Sequence, residues 1–184
     1  MDHIDEFRAD QHEHLRFAIL HQDEVTYGSE EECNIQYCID NNIPCYNRKG
    51  PGGTIVHAAG SLALNYIYSH DRFPEFLSTE FIDDLCIYFK NKNLNAWTEG
   101  NDLLIDGFKV ASSAAQNLPP DWRWCNIVIL VSTTQNFDLI QKVCLKPMIK
   151  VPKALSDWGI STKEMIKFII NWFSEKNINI GEPN

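Results

Sequence analysis

The sequence predicts an α+β domain built on a mixed, largely antiparallel sheet flanked by helices. Strand-like and helix-like segments follow one another without the regular βαβ alternation of a doubly wound fold. Asp106-Gly107 stands between LLI and FKV, and this is a hairpin signal because both central positions of a type I′ turn need positive φ. Residues 74–91 and 161–177 carry the apolar spacing of amphipathic helices. A chain of 184 residues fits one such core. The boundaries expected are a flexible leader over 1–16 and one domain over 17–180.

In chain order, FAIL at 17–20 and EVTYG at 24–28 read as two strands joined by a turn, or as one irregular strand ended by Gly28. Ser29 followed by Glu32 has capping-box spacing and predicts a helix start. Ile35 and Ile39 share a face of that helix, and Asn41-Asn42 stops it. Residues 43–49 form a short strand entering the GPGG turn, and 54–68 form two strand segments around a small-residue break at 58–61. Phe76, Phe81, Leu85 and Phe89 mark the buried face of the 74–91 helix, with Asp83 and Asp84 outside. Lys109 falls on the return strand of the Asp-Gly hairpin, the apolar run 124–133 reads as a central strand, and 136–145 as a short helix. Ser161 and Glu164 cap the last helix, whose apolar face holds Ile166, Ile169, Ile170 and Phe173.

Composition excludes several function classes. A formal charge of -9 leaves no basic footprint for nucleic acid. No apolar run approaches the ~20 residues that span a bilayer. The acidic, histidine-rich start resembles neither a secretory signal nor a transit peptide, so a cytoplasmic location is expected. Six cysteines without a CxxC read mostly as reduced thiols, and His3, His12 and His14 lack the company of a metal-ligand set.

The chemistry-bearing stretch is NRKGPGGTIVHAAGS, 47–61. Glycines let backbone N–H groups approach anionic oxygens, and Arg48 and Lys49 add the charge a phosphate needs. The same residues also make a tight hairpin with two solvated cations. His57 reads as a core histidine or as a donor near a reacting carbonyl, and Asn101-Asp102 as a strand-start turn or as a pair aimed at ribose, phosphate or Mg²⁺. Lys109, between Phe108 and Val110, has the apolar neighbours that depress an ammonium pKa, and its cation can stabilise an oxyanion. Cys144 reads as a small buried hydrophobe or, beside a cation, as a nucleophile.

Three segments in order, ILHQDEVTYGSEEECN, RKGPGGTIVHAAGS and NDLLIDGFKVASSAAQ, resemble the superfamily of lipoate-protein ligases, octanoyltransferases and biotin-protein ligases over roughly residues 17–160. They match the Glu-Cys-Asn region, the Arg-Arg-x-Gly-Gly-Gly loop with its histidine, and the Asn-Asp-Leu strand with the lysine strand after it. The resemblance implies the ligase catalytic-domain fold. It also implies that Gly52 and Gly53 cradle an acyl or acyl-phosphate group beside Arg48, and that His57 lines the pocket. Asn101 and Asp102 would face the nucleotide or its metal, and Lys109 the acyl carbonyl and phosphate.

A ligase of this kind uses ATP and Mg²⁺ to activate lipoic or octanoic acid as an adenylate and transfers the acyl group to a lysine of a lipoyl-domain carrier. A transferase instead forms a thioester on a cysteine with acyl groups from acyl carrier protein. Cys144, at the end of a short helix, matches the second, and Asn101-Asp102 the first. The third loop glycine is Pro51, and Ala-Ala-Gly-Ser follows His57 where ligases tend to carry Asp-x-Gly-Asn. The resemblance also implies that the chain starts near the family's second strand and lacks the accessory C-terminal domain of many ligases. A shortened module that binds a lipoyl group or its carrier without catalysis is the reading from another class. Biotin fits least, since Trp97 stands four residues before Asn101 and the Gly-Arg-Gly-type loop is absent.

Overall fold

The computed structural model of the chain describes residues 13–28, 32–48, 53–73, 75–132, 137–146 and 150–183. Six strands make the main sheet: β1 (His14–Ile19), β5 (Leu62–Ser69), β9 (Trp122–Ile129), β8 (Phe108–Leu118), β7 (Asp102–Ile105) and β6 (Ala96–Glu99), in that order and antiparallel throughout. A second sheet has the order β3 (Cys45–Asn47), β2 (Glu24–Tyr27), β4 (Ile55–His57), and its β2–β3 pair is parallel. The segments at 17–20 and 24–28 are thus two strands, assigned to different sheets. The expected mixed character comes from the small sheet alone.

Among the described residues the α-helices are α1 (Ile35–Asp40), α2 (Leu77–Asn91), α3 (Phe137–Val143) and α4 (Thr162–Glu175). Strand alternation sends Leu62, Leu64, Tyr66 and Tyr68 of β5 to one face of the main sheet, where they meet Phe81, Leu85 and Phe89 of α2 and Ile169 and Phe173 of α4. At ~25 cal/mol per Å² of apolar area removed from water, these large side chains supply most of the stabilisation. Ile166 and Ile170 of α4 are only partly buried, because Met165 and Trp172 take the inward positions. Asp84 is half-buried and accepts a hydrogen bond from Trp172 Nε1 at 2.8 Å, tying α2 to α4.

The opposite face of β9 carries Trp124, Asn126 and Val128, which look toward the small sheet and line a cavity. A second core of Val25, Val56, Cys33, Cys38, Ile140 and Val143 packs the small sheet against α1 and α3. The start of α1 departs from the capping-box reading: Asn34 is the N-cap, accepting from the Tyr37 N–H at 3.2 Å, and Ser29 lies outside the described residues. Ile39 is 63% exposed, because this short helix turns Cys38 inward instead.

Candidate active site

The cavity has a volume of about 410 Å³ and is lined by Arg48, Gly53, His57, Asp102, Lys109 and Cys144 among others. Six of the eight expected site residues therefore meet in one place. Asn101 does not: it sits exposed at the tip of the β6–β7 hairpin, and its carbonyl accepts from the Ser113 N–H at 2.8 Å. Gly52 lies outside the described residues.

Asp102 opens β7 opposite Ser112 of β8, and one residue further along the pair the register shifts, so that Leu103 faces Ala111 but Leu104 faces Lys109. Val110 is the extra residue, and a bulge of this kind redirects the side chains beside it. Where β9 ends at Ile129, residues 151–153 take its place beside Lys109: the Lys109 N–H donates to Val151 O at 2.8 Å and the Lys153 N–H to Lys109 O at 3.0 Å. Lys150 is thereby brought to Asp102.

The result is one carboxylate between two ammonium groups. Lys109 Nζ lies 2.8 Å from Asp102 Oδ1 and Lys150 Nζ 3.0 Å from Oδ2. Lys150 also donates to the Glu99 carbonyl at 3.1 Å. Burial by itself would raise the Asp102 carboxyl, but Lys109, Lys150 and the Ser112 hydroxyl outweigh it and hold it below 3.8. Lys109 is therefore ion-paired, not enclosed by apolar groups as its sequence neighbours suggest.

Across the cavity, Arg48 donates to Thr26 O and to Thr26 Oγ1, each at 3.2 Å, and to Gly53 O. The Thr26 hydroxyl also lies 3.0 Å from His57 Nε2, in a hydrogen bond whose direction follows the ring's tautomer. His57 Nδ1 is buried with no hydrogen-bond partner among the described residues. Burial, reinforced by the Arg48 cation, pulls His57 from 6.5 down to about 4, so the ring is neutral at pH 7. A Cβ on Gly53 would lie 2.6 Å from Glu32 Oε2, the end of a side chain ion-paired with Lys146.

Cys144 follows α3, and its Sγ is 3.8 Å from Thr54 O. Burial, and then the nearby thiols of Cys33 and Cys38, push the Cys144 thiol up, away from the thiolate a nucleophile needs. Lys146 and Lys150, both on the cavity wall, escape sequence reading. The signal was the lysine-rich stretch KPMIKVPK, whose position in space depends on the end of β9.

The sequence matches the lipoyl protein ligase A/B catalytic domain over residues 3–174. Among solved structures, a bipartite lipoate protein ligase with its E2 lipoyl domain from Thermoplasma acidophilum superposes with a TM-score of 0.73 at 22% identity, covering 96% of this chain and 77% of that one. A lipoate-protein ligase A bound with ATP gives 0.72 at 21% identity, covering 96% and 78%. The Plasmodium falciparum protein LipL1 in complex with lipoate gives 0.69 at 18% identity, covering 91% and 49%. A comparison with curated proteins found no match. Among the described residues no helix is long and apolar enough to cross a membrane. The structural likenesses establish the fold, and the match along nearly the whole sequence establishes more: the chain belongs to the lipoyl protein ligase A/B catalytic domain family.

Proposed function

We propose that the protein attaches a lipoyl or octanoyl group to a lysine of a small carrier domain through an acyl-adenylate. The observation that carries this reading is the make-up of one cavity: apolar side chains (Ile55, Val56, Val128, Leu130, Ile140) suit a medium-chain acyl group, and Arg48, Lys109 and Lys150 suit a phosphate. The family match, the relatives bound with ATP and with lipoate, and the relative studied with its E2 lipoyl domain support the same reading.

In the first step a carboxylate oxygen of the acid bonds to the α-phosphorus of ATP and pyrophosphate leaves. In the second the carrier's lysine amine attacks the acyl carbon, AMP departs with the electron pair of the C–O bond, and the new amide nitrogen releases a proton. Lys109 and Lys150, fixed by Asp102, offset the negative charge of the phosphate and the carbonyl oxygen without reorganising. The Gly53 backbone provides close approach on the other wall, and neutral His57 offers a hydrogen-bonding nitrogen instead of a charge. Both oxygens of Asp102 already hold ammonium groups, so a Mg²⁺ at this carboxylate would have to displace a lysine.

A thioester route through Cys144, with acyl carrier protein as donor, draws on that residue's place in the cavity wall. Its raised thiol weighs against it. The test is the intact mass of a lipoyl-domain carrier incubated with the protein, either with lipoic or octanoic acid plus ATP and Mg²⁺, or with octanoyl acyl carrier protein. A mass gain only with ATP is the expected result. A gain only with the thioester would transfer the chemistry to Cys144, and no gain from folded protein would favour a lipoyl-binding or carrier-binding module.

A further inference from the structure

Behind the cavity wall, three cysteines from one short stretch converge: Cys33 just before α1, Cys38 inside it and Cys45 at the start of β3. Their sulfurs all lie within 4.8 Å of one another, and those of Cys33 and Cys45 are 4.0 Å apart. Cys33 and Cys38 are buried and Cys45 half-buried.

Those spacings suit a shared ion more closely than a disulfide. Sulfurs held at about 2.3 Å from a shared ion stand about 4.0 Å apart when three surround it in a plane, and about 3.8 Å apart in a tetrahedral set. A disulfide needs about 2.05 Å. The observed separations therefore require a contraction of about 1 Å at most for a shared ion but of about 2 Å for a Cys33–Cys45 bond. Sulfur-only donors select thiophilic cations over Mg²⁺ or Ca²⁺.

We propose that Cys33, Cys38 and Cys45 form a three-thiolate site for one thiophilic closed-shell cation, Cu⁺ or Zn²⁺. Binding releases the thiol protons and joins the loop before α1, α1 itself and β3 through one ion. The site is next to the catalytic cavity without belonging to it: Glu32, beside Cys33, approaches Gly53, and Cys33 forms a β-bridge with Cys144. An ion here braces one wall of the cavity. The inference is independent of which acyl-transfer reaction the cavity performs.

The test uses the full chain, reduced and metal-free under anaerobic conditions, titrated with Cd²⁺ while the ultraviolet thiolate-to-cadmium charge-transfer band is followed. Competition with Zn²⁺ and with Cu⁺ then separates the two ions. The expected result is saturation at one equivalent, with affinity falling at least about tenfold in Cys45→Ala and unchanged in Cys86→Ala, a core cysteine remote from the cluster. Alkylation of the wild type gives a readout that does not depend on a variant's folding: bound Zn²⁺ or Cu⁺ is expected to protect Cys33 and Cys45. Absence of the band, a band that survives Cys45→Ala in folded protein, or no protection of Cys33 and Cys45 by Zn²⁺ or Cu⁺ would overturn the proposal.

Discussion

Lys109 Nζ and Asp102 Oδ1 lie 2.8 Å apart across a β-bulge, and the other oxygen of Asp102 holds Lys150 at 3.0 Å. One carboxylate thus fixes two cations on the cavity wall, and what happens when it is neutralised follows directly. Asp102→Asn leaves Lys109 without its carboxylate partner, while Lys150 keeps Glu99 Oε1 at 3.3 Å. A stability loss of about 1–2 kcal/mol is expected, since the group is part-exposed, together with weaker binding of the anionic substrate as the lysines separate. The carboxyl is depressed in the folded state, so its contribution is present above about 3.9 and is lost as pH falls through the lower folded value. Urea midpoints measured from pH 6 to pH 3 should therefore fall more steeply for wild type than for Asp102→Asn. Parallel curves would refute this account of the pair.

His57 gives the opposite kind of titration. Its folded value of about 4 lies below the ordinary 6.5, so between these values the unfolded chain binds more protons. Stability is complete above about pH 6.5 and decreases on acidification toward pH 4, by up to about 3 kcal/mol. His57→Gln lacks this contribution and should lose less stability than wild type in that window. The comparison is made by chemical denaturation at pH 7 and pH 5, where an equal loss in both proteins would show that the ring is not the group responsible.

These two residues show how unevenly the site could be read from sequence. His57 and Asp102 stand in two of the segments that carry the family resemblance, and both line the one cavity. The Asp106-Gly107 turn is legible from local residues alone, and φ values of 53 and 86° satisfy its requirement. The cap of α4 was equally local, with Ser161 Oγ accepting from the Glu164 N–H at 3.2 Å. Lys150 was not legible, since it reaches Asp102 only because residues 151–153 replace β9 alongside Lys109, a pairing between distant parts of the chain. Nor was the separation of β1 from β2 into different sheets, which depends on partners some 30 to 50 residues downstream. Asn34 supplies the cap of α1, and the Ser29 of the capping-box reading lies outside the described residues.

Gly53→Ala probes the close approach on the other wall. The new Cβ would stand 2.6 Å from Glu32 Oε2, the end of a flexible side chain, so Glu32 is expected to swing aside at a cost of about 1 kcal/mol or less. Glu32 cannot move without disturbing Lys146, and the Arg48 contact with Gly53 O shares the same strand end. KM for the acid should therefore rise more than kcat falls. Adding Glu32→Ala should relieve the clash, giving a double variant less impaired than the sum of the singles. Strict additivity would place the effect of Gly53→Ala elsewhere.

Lys109 and Cys144 line one cavity but differ in what surrounds them, and this separates the two routes of acyl transfer. Lys109 is a cation fixed by a carboxylate on a sheet, suited to stabilise charge that develops during reaction, and groups in that role contribute about 10²- to 10³-fold in rate. Cys144 is half-buried near Thr54 O, with its thiol pushed up by burial and by neighbouring thiols, which opposes formation of a nucleophilic thiolate. ATP-dependent transfer to a lipoyl domain should then fall about 10²-fold or more in Lys109→Ala and stay within about twofold of wild type in Cys144→Ala. Single-turnover rates of transfer from a preformed acyl-adenylate restrict the comparison to the second step, where the carbonyl oxygen becomes negative. If Cys144→Ala abolishes transfer while Lys109→Ala does not, the nucleophile is the thiol and the adenylate route is wrong.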